Sequence, residues 1–210
     1  MLIAGSAGYG NYRHQADVCH AYQIVLKAGI KPEHIITLAM DDIANSEENP
    51  YPGQLFNKPT AEGTPGVDVY DGCQIDYSGK QVTPEIFTAV LTGDEATAGG
   101  KVLKSTKKSR VFVNFVDHGG VNIIGFPETT MHAKDLIGAL TTMHTKDMYK
   151  ELVFYLEACE SGSMFKQLPD DIGIFATTAA NASEASQTGL RKVKSFSGLR
   201  KCSKVGIGPS

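Results

Sequence analysis

The chain lacks a dominant charge of either sign. Its 210 residues carry 20 Lys+Arg against 23 Asp+Glu, a formal net charge of −3, so nothing global points to a nucleic acid or an anionic membrane as partner. There is no apolar run long enough to span a bilayer. No secretory signal precedes Met1-Leu2-Ile3-Ala4, which already reads as core. Cysteine is scarce. Cys19, Cys73, Cys159 and Cys202 show neither metal-ligand spacing nor a compact disulfide framework, and packing is the expected role of Cys19 and Cys73. The glycine-rich segment from Gly5 to Gly10 lacks the Gly-Lys-Ser/Thr ending of a phosphate cradle and the spacing of a dinucleotide fingerprint. Its glycines are read as letting the backbone approach a substrate closely. Asp41-Asp42 has no further ligand cluster nearby in sequence, so neither a metal nor any other cofactor is expected.

What is present fits one α/β domain. Hydrophobic content of 41% and charged content of 20% are ordinary for a globular protein, and the length allows a sizeable core. Leu2-Ile3-Ala4 reads as the end of a first strand. A helix is expected from Gln15 to Ala28, where Val18, Cys19, Tyr22, Val25 and Leu26 recur at helical spacing and Gly29 stops it. Ile35–Met40 reads as a second strand. From Ala44 to Gly79 periodicity vanishes and prolines accumulate, as in a loop that walls a cleft. Thr83-Pro84 supplies an N-cap and a first helical position for a helix through Ile86, Phe87, Val90 and Leu91. Gly99–Arg110 is a polar, basic connector. Two apolar runs, Val111–Val116 and Leu152–Leu156, suit buried strands of a parallel sheet. Between them Ala133, Leu136, Ile137, Leu140 and Met143 mark an amphipathic helix, as a crossover requires. Ile172–Ala176 reads as a further strand. Residues 187–210 carry Arg191, Lys192, Lys194, Arg200, Lys201 and Lys204 and no acid; they read as a basic tail outside a 1–186 domain.

The chemistry gathers where those two strands end. One runs into Asp117-His118-Gly119-Gly120 and the other into Glu157-Ala158-Cys159-Glu160. Neighbouring parallel strands would bring His118 and Cys159 to one sheet edge, where open α/β sheets hold their active groups. A thiol attacks well as its thiolate, and an imidazole generates one. The amides of Gly119 and Cys159 could hold an oxyanion. A pocket for a carboxamide side chain needs both donors and acceptors. Arg13 and His14 supply the first and Glu157 the second. Glu157 lies two residues before Cys159, on the same side of the strand. His20, His34, His132 and His144 fall on helices or loops and read as surface residues without partners.

The segments Asn11-Tyr12-Arg13-His14-Gln15-Ala16-Asp17, Asp117-His118-Gly119, Glu157-Ala158-Cys159-Glu160-Ser161-Gly162-Ser163-Met164 and Ala176-Thr177-Thr178-Ala179-Ala180-Asn181 resemble the legumains, the asparaginyl endopeptidases. The resemblance runs in order from Leu2 to Ser186. It implies a caspase-like fold, a three-layer αβα sandwich around a mostly parallel sheet, and cleavage of protein substrates after asparagine. In that reading Cys159 is the nucleophile, His118 the base, Asn11 orients His118, and Gly119 helps form the oxyanion hole. Arg13, His14, Glu157 and Ser186 line the asparagine pocket. The resemblance further implies a lysosomal, vacuolar or secreted setting and cystatin-like inhibitors as partners. After Ser186 the sequence leaves the family pattern: the Gly-Asp-X-Tyr-Ser segment with a second pocket acid is missing, as is the last core strand. A truncated, catalytically silent form acting as a binding or decoy module is therefore one alternative. A second is transfer chemistry like that of the related glycosylphosphatidylinositol transamidases. Asp117 and Glu157-Ala158-Cys159-Glu160 favour the legumain pattern over the transamidase one.

Overall fold

Strand β1 (Leu2–Ala4) stands where the chain reverses the direction in which it builds its sheet. In the computed structural model, which describes residues 1–58, 60–64 and 66–186, β1 is followed by helix α1 (Tyr12–Lys27) and by β2 (Thr37–Leu38) on one side. Helices α2 (Pro84–Thr92) and α3 (Glu95–Ala98) come next. The chain then returns to the other side of β1 as β3 (Arg110–Val116). A small antiparallel unit follows, β4 (Gly119–Gly120), β5 (Ile123–Phe126) and β6 (Thr129–His132), and then α4 (Ala133–Thr145), β7 (Glu151–Glu157) and β8 (Ile174–Thr178). The main sheet has the order β2-β1-β3-β7-β8 and every pairing in it is parallel. The expected α/β class and parallel sheet are both present.

Alternation along the strands sorts the side chains into two layers. Val113, Phe115, Leu152, Phe154 and Leu156 pack with Phe87, Val90 and Leu91 of α2 and with Leu136, Leu140 and Met143 of α4 in the main core. Leu2, Ala4 and Val116 face the other way and pack with Val18 and Tyr22 of α1. The three-layer expectation therefore holds, with an asymmetry among the described residues. Helix α1 covers the β1 side of its face, whereas Tyr155 on β7 is 46% exposed there and packs edge-on against Phe112 of β3. The closing edge of the sheet and the basic tail concern residues 187–210, which lie outside the described residues.

Element ends moved by a few residues. Helix α1 begins at Tyr12 rather than Gln15, and α2 starts where Thr83 predicts, its hydroxyl accepting the Ile86 amide at 3.2 Å. Strand β2 is shorter than Ile35–Met40 because three-residue β1 offers it so few partners. Strand β8 begins two residues later than expected, since the Ile172 carbonyl is taken by the Tyr149 hydroxyl. The β4–β6 unit was not expected. Its strands are too short for periodicity to reveal, yet Ile124, Phe126 and Met131 are core residues.

The packing role expected for Cys19 and Cys73 is corrected. The two form a disulfide, with Cα atoms 5.5 Å apart across a sequence separation of 54. It ties α1 to the 44–79 loop, and a cross-link closing a loop of that size contributes about 2–4 kcal/mol. The spacing gave no hint of it because the fold of the intervening chain sets the distance. The loop itself is held from within. Asn49 Nδ2 donates to the Ala44 and Gln54 carbonyls, and Asp68 accepts from the Leu55 and Tyr70 amides.

Candidate functional site

The register of the sheet builds the site. Ala4 pairs with Val116, and Val116 with Glu157. The ladders continue one step further, with the Gly5 amide donating to the Val116 carbonyl and the Asp117 amide to the Glu157 carbonyl. The loops after β1, β3 and β7 therefore leave the sheet side by side, at the switch point where ligands of open α/β sheets bind. Gly119 packs directly on the Cys159 turn: a Cβ built there would lie 2.6 Å from the Cys159 carbonyl oxygen and 2.9 Å from Ala158 Cβ. Cys159 is a free, half-buried thiol and His118 is exposed. The next residue, Glu160, takes a left-handed conformation at φ 49°. This turns the chain sharply after the thiol into the short helix Ser161–Phe165.

Asn11 selects the tautomer of the neutral His118 ring. Its Nδ2 donates to the Ala7 carbonyl at 2.7 Å, which turns Oδ1 toward His118 Nε2, also at 2.7 Å. An amide oxygen demands a donor, so Nε2 carries the proton and Nδ1 keeps its lone pair. The Gly119 amide is free of the hairpin: Gly125 N donates to the His118 carbonyl, and in an antiparallel ladder the next residue points outward.

Arg13 and Glu157 form the second cluster. Arg13 Nη1 donates to Glu157 Oε1 at 3.1 Å, both side chains partly exposed. Burial raises the Glu157 pKa, the charge of Asp17 raises it further, and Arg13 and Ser186 oppose that.

His14 is placed differently from the expectation that it offers a pocket donor. It is fully buried, and Nδ1 faces Ser6 Oγ at 2.5 Å and Asp117 Oδ1 at 3.5 Å. Its ring stacks edge-on beneath that of His118, with centroids 4.9 Å apart. Nε2 has no partner among the described residues. Burial, with help from Arg13 and His118, lowers its pKa to about 3, so the ring is neutral. Asp117 is equally enclosed. A Cβ at Gly5 or at Gly125 would come within 2.5 Å of its Oδ2, so only glycine fits at either place. Burial raises its pKa to about 6, against the pull of the His118 amide and Arg13. The ligand atoms of His14, Asp117 and His118 lie within 4.8 Å of one another. One ligand atom of each is held by a neighbour, His14 Nδ1 by Ser6, Asp117 Oδ1 by the His118 amide and His118 Nε2 by Asn11, and the cluster reads as a hydrogen-bonded floor.

That floor has opposed pH dependences. His14 has a folded pKa below its ordinary 6.5, so its contribution to stability is lost as pH falls from 6.5 toward 3. Asp117 has a folded pKa above its ordinary 3.8, so the folded state is favoured as pH falls through about 6 toward 3.8. The two offset each other over the range they share. Asp117→Asn is expected to unmask the histidine, losing on the order of 1 kcal/mol per pH unit relative to wild type as pH falls from about 6 toward 3.8. Urea midpoints at pH 7 and pH 5 check this; a variant no more acid-sensitive than wild type would sink it.

The paired acids Asp41 and Asp42 are anchors. Asp42 accepts from the Gly8 amide at 2.7 Å and from Gln15 Nε2 at 2.6 Å, and Asp41 accepts from the Tyr70 hydroxyl at 2.7 Å. They hold the glycine-rich loop and the 44–79 loop against the start of α1. His34, His132 and His144 are exposed, but His20 is not partnerless: its Nδ1 meets Asn57 Oδ1 at 2.7 Å.

A model of the Peptidase C13 family matches residues 1–195. The chain belongs to the Peptidase C13 family. It is 54% identical over 190 residues to a legumain of Mus musculus, covering 89% of this chain and 42% of that protein. It is 54% identical to a hemoglobinase of Schistosoma japonicum over 187 residues, covering 89% and 43%. It is 50% identical to the vacuolar-processing enzyme beta-isozyme of Arabidopsis thaliana over 191 residues, covering 89% and 38%. The chain thus spans about two fifths of the length of these C13 relatives. The Peptidase C13 fold places Asn11, His118, Gly119 and Cys159 together, and Arg13, Glu157 and Ser186 beside them. Ser6, Asp17 and Asn57 also reach this region and were not picked out from the sequence. A small polar residue in a loop carries no pattern until its partner is known.

Proposed function

We propose that the chain is a cysteine endopeptidase that cleaves protein substrates after asparagine. The observation that carries this is the contact of the His118-Gly119 turn with the Cys159 turn, at an edge where Asn11 Oδ1 meets His118 Nε2, which in the neutral ring leaves Nδ1 as the acceptor. Nδ1 takes the Cys159 thiol proton and the thiolate attacks the substrate carbonyl carbon. The amides of Gly119 and Cys159 receive the oxyanion. Collapse breaks the C–N bond, and His118 gives its proton to the leaving amine. Water, deprotonated by His118, then hydrolyses the thioester, and the proton returns to the sulfur. Arg13 donates to the carbonyl oxygen of the asparagine side chain, and Glu157 and Ser186 offer oxygens to its NH2 group. His14 supports His118 from below.

The setting in this reading is lysosomal, vacuolar or secreted, with cystatin-like proteins as inhibitors. The Cys19–Cys73 disulfide supports a chain made in an oxidising compartment. No helix among the described residues is long and apolar enough to cross a membrane.

The test is hydrolysis of two reporter peptides that differ only in asparagine or glutamine before the scissile bond, at mildly acidic and neutral pH. The asparagine reporter is expected to be cleaved at least about tenfold faster, one methylene being worth that much in a fitted pocket. Iodoacetamide is expected to stop the reaction. A soluble, folded chain that leaves both reporters intact would overturn the proposal.

A further inference from the structure

A chain of polar contacts begins one helical turn along α1 from Arg13. Asp17 lies one turn after Arg13 on α1, so the two share a helix face. Asp17 Oδ1 accepts from Asn57 Nδ2 at 2.5 Å, and Asn57 Oδ1 meets His20 Nδ1 at 2.7 Å. All three side chains are half-buried. The orientation of the Asn57 amide is determined by its neighbours. Turned over, it would set its oxygen against the Asp17 carboxylate.

Asn57 comes from the 44–79 loop, and its approach is fixed on both sides. The Phe56 amide donates to the Tyr12 hydroxyl at 2.7 Å, and the Cys19–Cys73 disulfide clamps the far end of the loop to α1. The charge of Asp17 raises the Glu157 pKa, and the charge of Arg13 lowers that of each carboxylate. Arg13 thus has one carboxylate in direct contact and a second one helical turn along α1.

We infer that Asp17 and Asn57 are positioning residues for Arg13, through which the 44–79 loop sets the geometry of the carboxamide pocket. The inference rests on the proposed reading of that pocket. Asn57 supplies the donor that keeps half-buried Asp17 charged and pointed along α1. Without it Asp17 takes up a proton or swings to solvent, and Arg13 loses one of the two charges that confine its long side chain. An asparagine substrate then has to order Arg13 on binding, and the cost falls on KM.

The experiment uses the whole chain, with Asn57→Leu and the exchange pair Asp17→Asn/Asn57→Asp. Asn57→Leu is expected to raise KM for the asparagine reporter about tenfold, with kcat within about threefold of wild type. The exchange pair restores the hydrogen bond with its polarity reversed and moves the charge off α1. It is expected to recover the thermal midpoint of wild type while KM stays raised. A merely structural role predicts that KM recovers with the midpoint, and that result overturns the inference, as does an unchanged KM in Asn57→Leu. If wild type cleaves nothing, the proposed function fails and the inference is read from Arg13 directly. Exchange of its guanidinium protons, followed by nitrogen-15 NMR, is expected to quicken at least about tenfold in Asn57→Leu. Unchanged exchange overturns it.

Discussion

Replacing Cys159 by alanine is expected to lower cleavage of an asparagine reporter by at least about three orders of magnitude and to leave the fold intact. The first half follows from chemistry: alanine offers no nucleophile, and no other thiol exists among the described residues once Cys19 and Cys73 are paired. The second half follows from how the turn is held. Ala158 is fully buried. The Glu160 amide donates to the Glu184 carbonyl at 2.8 Å, and the Ser163 amide to the Glu160 carbonyl at 2.8 Å. The sulfur takes part in none of these bonds. The measurements are reporter turnover and a thermal melt on the same preparation. Turnover that survives with an unchanged melt would assign cleavage to some other group and remove Cys159 from the mechanism.

Gly119→Ala is expected to cost at least about a hundredfold in kcat/KM, and about 1–3 kcal/mol in stability, by overpacking. The added Cβ would meet the Cys159 carbonyl oxygen at 2.6 Å, Ala158 Cβ at 2.9 Å and the Ile123 carbonyl oxygen at 3.2 Å. Two of these are main-chain atoms that cannot rotate away, so the turn bearing His118 and the turn bearing Cys159 must part. Separation misaligns base and nucleophile and withdraws the Gly119 amide from the developing oxyanion. Gly120→Ala is the control. Its Cβ would meet only the flexible end of Ile123, at 3.3 and 3.4 Å, and turnover is expected within about threefold of wild type. Equal losses at both positions would shift the cause from that contact to a general intolerance of the hairpin.

Much of the fold could be read from the residues because the relevant signals are local. The apolar runs at Val111–Val116 and Leu152–Leu156 are strands whatever surrounds them. The Thr83-Pro84 start of α2 is a cap by its own chemistry, and α4 announces its buried face by spacing. From two parallel neighbouring strands it also follows that the loops carrying His118 and Cys159 leave the sheet at one edge. The β4–β6 unit escaped because strands of two to four residues are too short for a period. The missed partner of His20 is Asn57, 37 residues away on a loop without pattern.

By itself the sequence determined the α/β class, the parallel sheet and the family, since apolar periodicity and contiguous motifs survive without knowledge of what lies across the core. Only the tertiary structure decided that Cys19 and Cys73 are bonded, that His14 sits beneath His118 instead of opening into the pocket, and that Asp17 reaches Asn57. Each of these depends on distances between residues on different elements. Such distances are set by how α1, the 44–79 loop and the strand ends pack, and packing is a property of the whole chain that no local pattern encodes.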